Sequence, residues 1–130
     1  MNEDKTQELK KKYPKIFKEN FWFEHADGWY DLIDNLCYKI QSYIDDFDHV
    51  EQAEATQVKE KFGYLRFYIY GGDDFIHKLI DEAEGKSGQI CEACGAPGTV
   101  KKLGGYWLMC RCQPCYDKDL EDRNNRISQK

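Results

Sequence analysis

Apolar residues along this chain change their spacing twice. Between Asp27 and Phe47, the residues Trp29, Leu32, Ile33, Leu36, Ile40, Tyr43, Ile44 and Phe47 recur at steps of three and four, which predicts a long amphipathic helix with an aromatic buried stripe. Asp27 stands where a capping side chain is expected, and Asp45-Asp46-Phe47-Asp48 puts negative charge at the negative end of the helix dipole, which should stop it. In Gly63–Gly72 the period falls to two: Leu65, Phe67 and Ile69 share one face and Tyr64, Arg66, Tyr68 and Tyr70 the other, as in a half-buried strand. Ala53–Lys61 is expected to pair with it as a hairpin turning at Phe62-Gly63, with Val58 inward and Lys59 and Lys61 on the tyrosine side. The helical period then returns, with Ile76, Leu79, Ile80 and Ala83 on one face, Asp73 placed to cap and Gly85 placed to end the helix.

The first twenty residues predict a short helix over Thr6–Tyr13, with Leu9 and Tyr13 four apart, interrupted by Pro14 and followed by a turn that packs Ile16 and Phe17. No apolar stretch approaches the ~20 residues of a membrane span. The expected architecture is α+β: helices packed on a small antiparallel sheet, with a C-terminal zinc ribbon whose β-arm is placed to extend the sheet. Residues 1–89 form the core domain and 90–116 the ribbon. Residues 117–130 are read as a polar tail, disordered towards its end.

The ribbon rests on cysteine spacing. Cys91-Glu92-Ala93-Cys94 is answered by Cys112-Gln113-Pro114-Cys115 after 17 residues, and two such pairs close a tetrahedral four-thiolate shell around one structural Zn²⁺. Four cysteines leave no coordination position for water or substrate, so the ion is expected to hold the fold. A disulfide framework is the rival reading. The charged start Met1-Asn2-Glu3-Asp4-Lys5, with no apolar segment after it, argues for reduced thiols and a cytoplasmic setting. Cys110 is either a packed strand residue or a substitute ligand, and Cys37 a small buried hydrophobe.

A net charge of −5 disfavours indiscriminate nucleic-acid binding. The charge is uneven, however. Residues 21–56 carry nine acids against one lysine, whereas 57–70 carry three bases against one acid and 86–115 four bases against one acid.

Several motifs together resemble a group of small proteins encoded by tailed phages and prophages. They are Tyr13-Pro14-Lys15-Ile16-Phe17, Phe23-Glu24, Asp27-Gly28-Trp29-Tyr30-Asp31-Leu32-Ile33-Asp34, Val58-Lys59-Glu60-Lys61-Phe62-Gly63, Leu65-Arg66-Phe67-Tyr68, Gly71-Gly72-Asp73-Asp74 and Cys91-Glu92-Ala93-Cys94-Gly95-Ala96-Pro97-Gly98. Where that group often has Cys-Gly after the Phe-Glu pair, this chain has His25-Ala26. The resemblance implies a protein made inside an infected bacterium and directed at a host system.

Catalytic signatures are weak. His25, His49 and His77 match no triad order or metal-protease motif, and Asp45-Asp46 and Asp73-Asp74 have capping or surface explanations. The outer hairpin face is more informative. Lys59, Lys61, Tyr64, Arg66, Tyr68 and Tyr70 combine aromatic planes with cations, a pairing that suits a nucleotide, a short single strand or an acidic protein surface. The leading expectation is a non-enzymatic zinc-binding accessory protein that captures a host defence protein or small nucleotide, with a homodimer as another use of exposed aromatics. The alternatives are a nucleic-acid-binding ribbon using Lys101, Lys102 and Arg111, and a hydrolase of nucleotides or nucleic acid dependent on a second metal site.

Overall fold

The computed structural model describes residues 1–128. Helix α1 (Glu3–Lys12) begins earlier than the apolar pattern suggests, because the Asn2 side chain accepts from the Lys5 N–H at 2.8 Å and Glu3 and Asp4 sit at the positive end of the dipole. Leu9, Ile16 and Phe17 are buried, so the turn after Pro14 packs as expected.

The long aromatic helix does not start at Asp27. A 3₁₀ turn, Asp27–Trp29, precedes α2 (Tyr30–Asp46), and no side chain caps either. The Asp27 carboxylate instead accepts from the Asn2 backbone N–H at 2.7 Å and from its side-chain amide at 3.1 Å, tying the start of α1 to this turn. Trp29 of the turn is buried, as are Ile33, Leu36, Cys37 and Ile40 on the core side of α2.

Strands β1 (Glu54–Lys61) and β2 (Tyr64–Tyr70) form the antiparallel hairpin, with Val58 opposite Phe67, Lys59 opposite Arg66 and Lys61 opposite Tyr64. Phe62 and Gly63, at φ 54° and 88°, make the two-residue turn whose left-handed residues match the twist of the strands. Both outer edges of the hairpin are occupied. Along β1, Glu24 donates to the Val58 carbonyl at 2.9 Å and accepts from the Glu60 N–H at 3.1 Å. Along β2, the Leu65 N–H donates to Ser87 Oγ and the Phe67 N–H to Glu84 Oε2, each at 2.9 Å. Sealed edges leave no ladder for a further strand.

The bonds along the β2 edge come from α3 (Asp74–Ser87), which is capped by Asp73 through the Ile76 N–H at 3.1 Å. It runs through Gly85, where the sequence pattern predicts its end, and stops at Gly88, on which the Tyr64 ring packs so closely that a Cβ would collide with it. An exposed glycine within a helix costs only about 1 kcal/mol, less than the edge bonds of the last turn return.

The ribbon's strands β3 (Thr99–Gly104) and β4 (Trp107–Arg111) form their own two-stranded sheet and do not extend the first. The two hairpins meet instead at a turn, where Gly63 lies against Val100. Cys110 belongs to the hydrophobic core, with Val100 packed against it, so core and ribbon share apolar contacts. The polar tail carries a helix that its pattern does not predict: Gln113–Ser128 forms α4, while residues 129–130, on which part of the expected disorder falls, lie outside the described residues. Apolar periodicity could not reveal it, because none of its residues is buried. It is held by polar contacts at its inner face, including Tyr116 Oη donating to the Lys102 carbonyl at 2.7 Å. No helix among the described residues is long and apolar enough to cross a membrane.

Candidate metal centre and candidate binding face

The two knuckles converge. The Sγ atoms of Cys91, Cys94, Cys112 and Cys115 all lie within 4.8 Å of one another, and those of Cys94 and Cys112 are 3.6 Å apart. This group can hold a metal ion, since sulfurs ~2.3 Å from a tetrahedral centre stand a little under 4 Å apart. Cys91 is buried and Cys94 exposed, so the site has a closed inner side and an open outer one. Burial pushes the Cys91 thiol up, but backbone N–H groups of Cys112, Cys94 and Ala93 outweigh it and hold the thiol down at about 7. The neighbouring Cys112 thiol pushes Cys115 up to about 12. Four thiols crowded this closely resist becoming four thiolates until a cation compensates them.

Cys110 is not part of the group. It is fully buried in the core on β4, where burial raises its thiol, as it does for Cys37 on α2. Both fill apolar space.

The centre is attached to the core by contacts that the cysteine spacing does not announce. Gly28 N–H donates to the Glu92 carbonyl at 2.6 Å, and Trp29 Nε1 donates to the Ile90 carbonyl at 2.9 Å. Gly95, at φ 84°, turns the first knuckle so that its N–H donates to the Cys91 carbonyl at 2.8 Å. Glu92, inside the first CxxC, is a junction. Its Oε2 accepts from the Ala26 N–H at 2.9 Å, and its Oε1 pairs with Arg111 Nη1 at 3.2 Å. Arg111 Nε in turn holds Asp119 of α4 at 2.8 Å. One carboxylate and one guanidinium thus join the 3₁₀ turn, the first knuckle, β4 and α4.

That network revises the ribbon's cations. Arg111 is ion-paired with Glu92 and Asp119, whereas Lys101 Nζ donates to Thr99 Oγ1 at 2.6 Å and to the Arg111 carbonyl at 3.1 Å and keeps its charge and one N–H, and Lys102 is exposed. Asp73 is likewise committed, accepting from Tyr43 Oη at 2.6 Å and from Ile76 N–H.

The hairpin places its six candidate residues together. With Val58, Leu65 and Phe67 buried, the alternate positions Lys59, Lys61, Tyr64, Arg66, Tyr68 and Tyr70 share the outer face. Tyr64, Tyr68 and Tyr70 are 37%, 44% and 67% exposed. The period-two reading missed Trp22, which is 74% exposed and lines an open groove of about 650 Å³ with Glu24, Glu54 and Tyr70. It is brought there by Glu24 bonding along β1, a contact without a local sequence signal. Tyr64 and Arg66 line a shallower hollow of about 290 Å³ with Asp81 and Glu84 of α3.

His25 is buried against Phe23 and Trp29, with Nδ1 2.7 Å from the Ala26 carbonyl oxygen and Nε2 without a partner. Burial holds its imidazole down at about 4, so it is neutral near pH 7.

No protein-family profile, no curated protein and no solved structure matches the chain.

Proposed function

We propose that the chain is a non-enzymatic binding protein in which one Zn²⁺ holds the fold and the outer face of the β1–β2 hairpin captures a component of a bacterial host. Thiolate ligation favours Zn²⁺ in a reduced compartment, and a full four-sulfur shell suits a structural ion. The observation that carries the capture reading is the hairpin face itself: three exposed tyrosines with exposed Lys61 and half-buried Lys59 and Arg66, on a sheet whose opposite face is core and whose edges are covered by the Glu24 segment and by α3. Such a face is rigid and unavailable for strand pairing, so its ligand must be met by side chains. The resemblance to phage-encoded proteins supports a host target in the cytoplasm, either a defence protein or a small nucleotide.

The test is native mass spectrometry of the chain purified gently from bacterial cytoplasm, alongside a Tyr68→Ala/Tyr70→Ala variant. The expected spectrum holds one zinc per chain and a further retained mass that the variant loses. Retention of the same mass by the variant would reject the hairpin face as the capture surface. A doubled subunit count broken by the variant would show that the face pairs two copies of the chain.

A further inference from the structure

Lys59 and Arg66 are directly opposed across the hairpin on its outer face, a like-charge pairing that weakens a sheet, with Glu24 as the bridge partner of Lys59 on its other side and Asp81 and Glu84 in the hollow beside Arg66 as the nearby carboxylates. The ion pairs among the described residues are Lys12–Asp34, Arg111–Glu92 and Arg111–Asp119, so neither Lys59, Lys61 nor Arg66 is bridged to a carboxylate. Arg66 makes one weak bond, to the Leu65 carbonyl at 3.3 Å, and Lys61 leans over the Phe62 ring at 5.7 Å. Along β2, Tyr64 and Tyr68 flank Arg66 at same-face positions, each about 7 Å from it along the strand, and Tyr70 extends the row to about 20 Å.

We infer that this face binds short single-stranded nucleic acid, with bases stacked on the tyrosines and phosphates on the cations between them. The inference rests on the reading of the hairpin face as the capture surface and departs from it in the ligand, a short strand in place of a defence protein or a single small nucleotide. A row of separated aromatic planes about 20 Å long exceeds a single nucleotide, and the hollows along it are open, so the face suits successive bases of one strand better than one enclosed base. A duplex buries its base faces and offers nothing to stack. Carboxylates set the limits of the strand. Glu54 stands at the Trp22–Tyr70 end, where Lys18 also lines the groove. Glu24 is the backbone bridge partner of Lys59 across the β1 edge, and Asp81 and Glu84 lie beside Arg66. Exposed Lys61 is therefore the hairpin cation least opposed by carboxylates, and the site stays short. Glu84 is already partly compensated by the Phe67 N–H.

The experiment is fluorescence anisotropy of a labelled oligothymidylate hexamer with the zinc-loaded full chain, at low and at physiological salt. Binding is expected with a log–log salt slope of about −2, three phosphates at roughly −0.7 each. Lys61→Gln, at an exposed position, should lower the slope magnitude by about 0.7, and Lys59→Gln/Arg66→Gln should bring it close to that of one cation. Tyr68→Ala should weaken binding about tenfold, as loss of one stacked base does. Zinc content and circular dichroism check that each variant is folded, and Lys61→Gln alone suffices should the double variant unfold. Competition by thymidine monophosphate equal to that of the hexamer would overturn the inference in favour of a single-nucleotide site. So would competition by a duplex, or binding indifferent to all of these substitutions. No hexamer binding, with a Tyr68-dependent mass still retained in native spectra, would overturn this inference and leave the capture reading standing; loss of both would remove that reading too.

Discussion

The backbone N–H of Gly28 donates to the Glu92 carbonyl at 2.6 Å, and a Cβ on Gly28 would overlap the carbonyl oxygen of Cys91. A glycine before the aromatic helix is therefore the seat of a cysteine knuckle more than sixty residues away. Because the obstacle is backbone, the side chain cannot turn aside. Gly28→Ala is expected to cost at least about 2 kcal/mol through overpacking, read as a lower denaturation midpoint with an unchanged slope. The same variant should lose zinc to a competing chelator faster than wild type. Wild-type stability and metal retention would show that the 3₁₀ turn can lift off the knuckle freely.

Chelation should act on the structure in a set order. Helix α4 has 16 residues and none buried, so it stands near the margin of an isolated helix and depends on Cys112, Cys115 and the Arg111–Asp119 pair. Stripping the metal is expected to melt α4 and the ribbon while α1–α3 and the first hairpin persist. Amide hydrogen exchange resolves this by segment, and protection retained through 113–128 after chelation would contradict it. Cys91→Ser should lower metal content towards zero, whereas Cys110→Ser should keep one ion per chain and lose stability through a hydroxyl placed in the core.

The Glu92–Arg111 pair is mostly withdrawn from water, with side chains 9% and 14% exposed. Arg111→Leu leaves the Glu92 carboxylate without its cation and releases Asp119, and should cost about 3 kcal/mol. Adding Glu92→Gln removes the stranded charge and should recover part of that loss, since the amide oxygen can still accept from Ala26. A double-mutant cycle by urea unfolding measures both, and strict additivity would mean that the two side chains act independently.

His25 gives stability a pH dependence of known sign. Its folded value is about 4 against an ordinary 6.5, so the unfolded chain takes up the proton first. The contribution is fully present above about 6.5 and is lost as pH falls towards 4, to a total of about 3 kcal/mol. His25→Phe keeps an aromatic ring between Phe23 and Trp29 and removes the proton site. The difference in unfolding free energy between wild type and variant should therefore slope across pH 6.5 to 4 and flatten above it. A constant difference over that window would mean that the imidazole titrates alike in both states.

The elements carried by strong periodicity were legible from the chain. The stripe from Trp29 to Ile40 and the alternation from Tyr64 to Tyr70 are burial patterns written directly as spacing, and the Phe62-Gly63 turn follows from the change of period. Where local propensity falls short, the cause is shared. It does not foresee that Asp27 is drawn to Asn2 or that Gly85 is carried through by the edge bonds of Ser87 and Glu84, and it gives no signal for α4, which is anchored by polar contacts that leave no apolar stripe.

By itself the sequence determined the α+β class, the four thiols able to share one ion, and the outward set Lys59, Lys61, Tyr64, Arg66, Tyr68 and Tyr70, because ligand spacing and side-chain alternation are properties of neighbouring residues. Only the tertiary structure decided which cations remain free, that Trp22 joins the tyrosine face, that the two hairpins stay separate, and that Gly28, Glu92 and Arg111 couple the knuckle to the core. Those outcomes depend on backbone groups seeking partners and charges seeking compensation across long chain separations, and no local pattern encodes that competition.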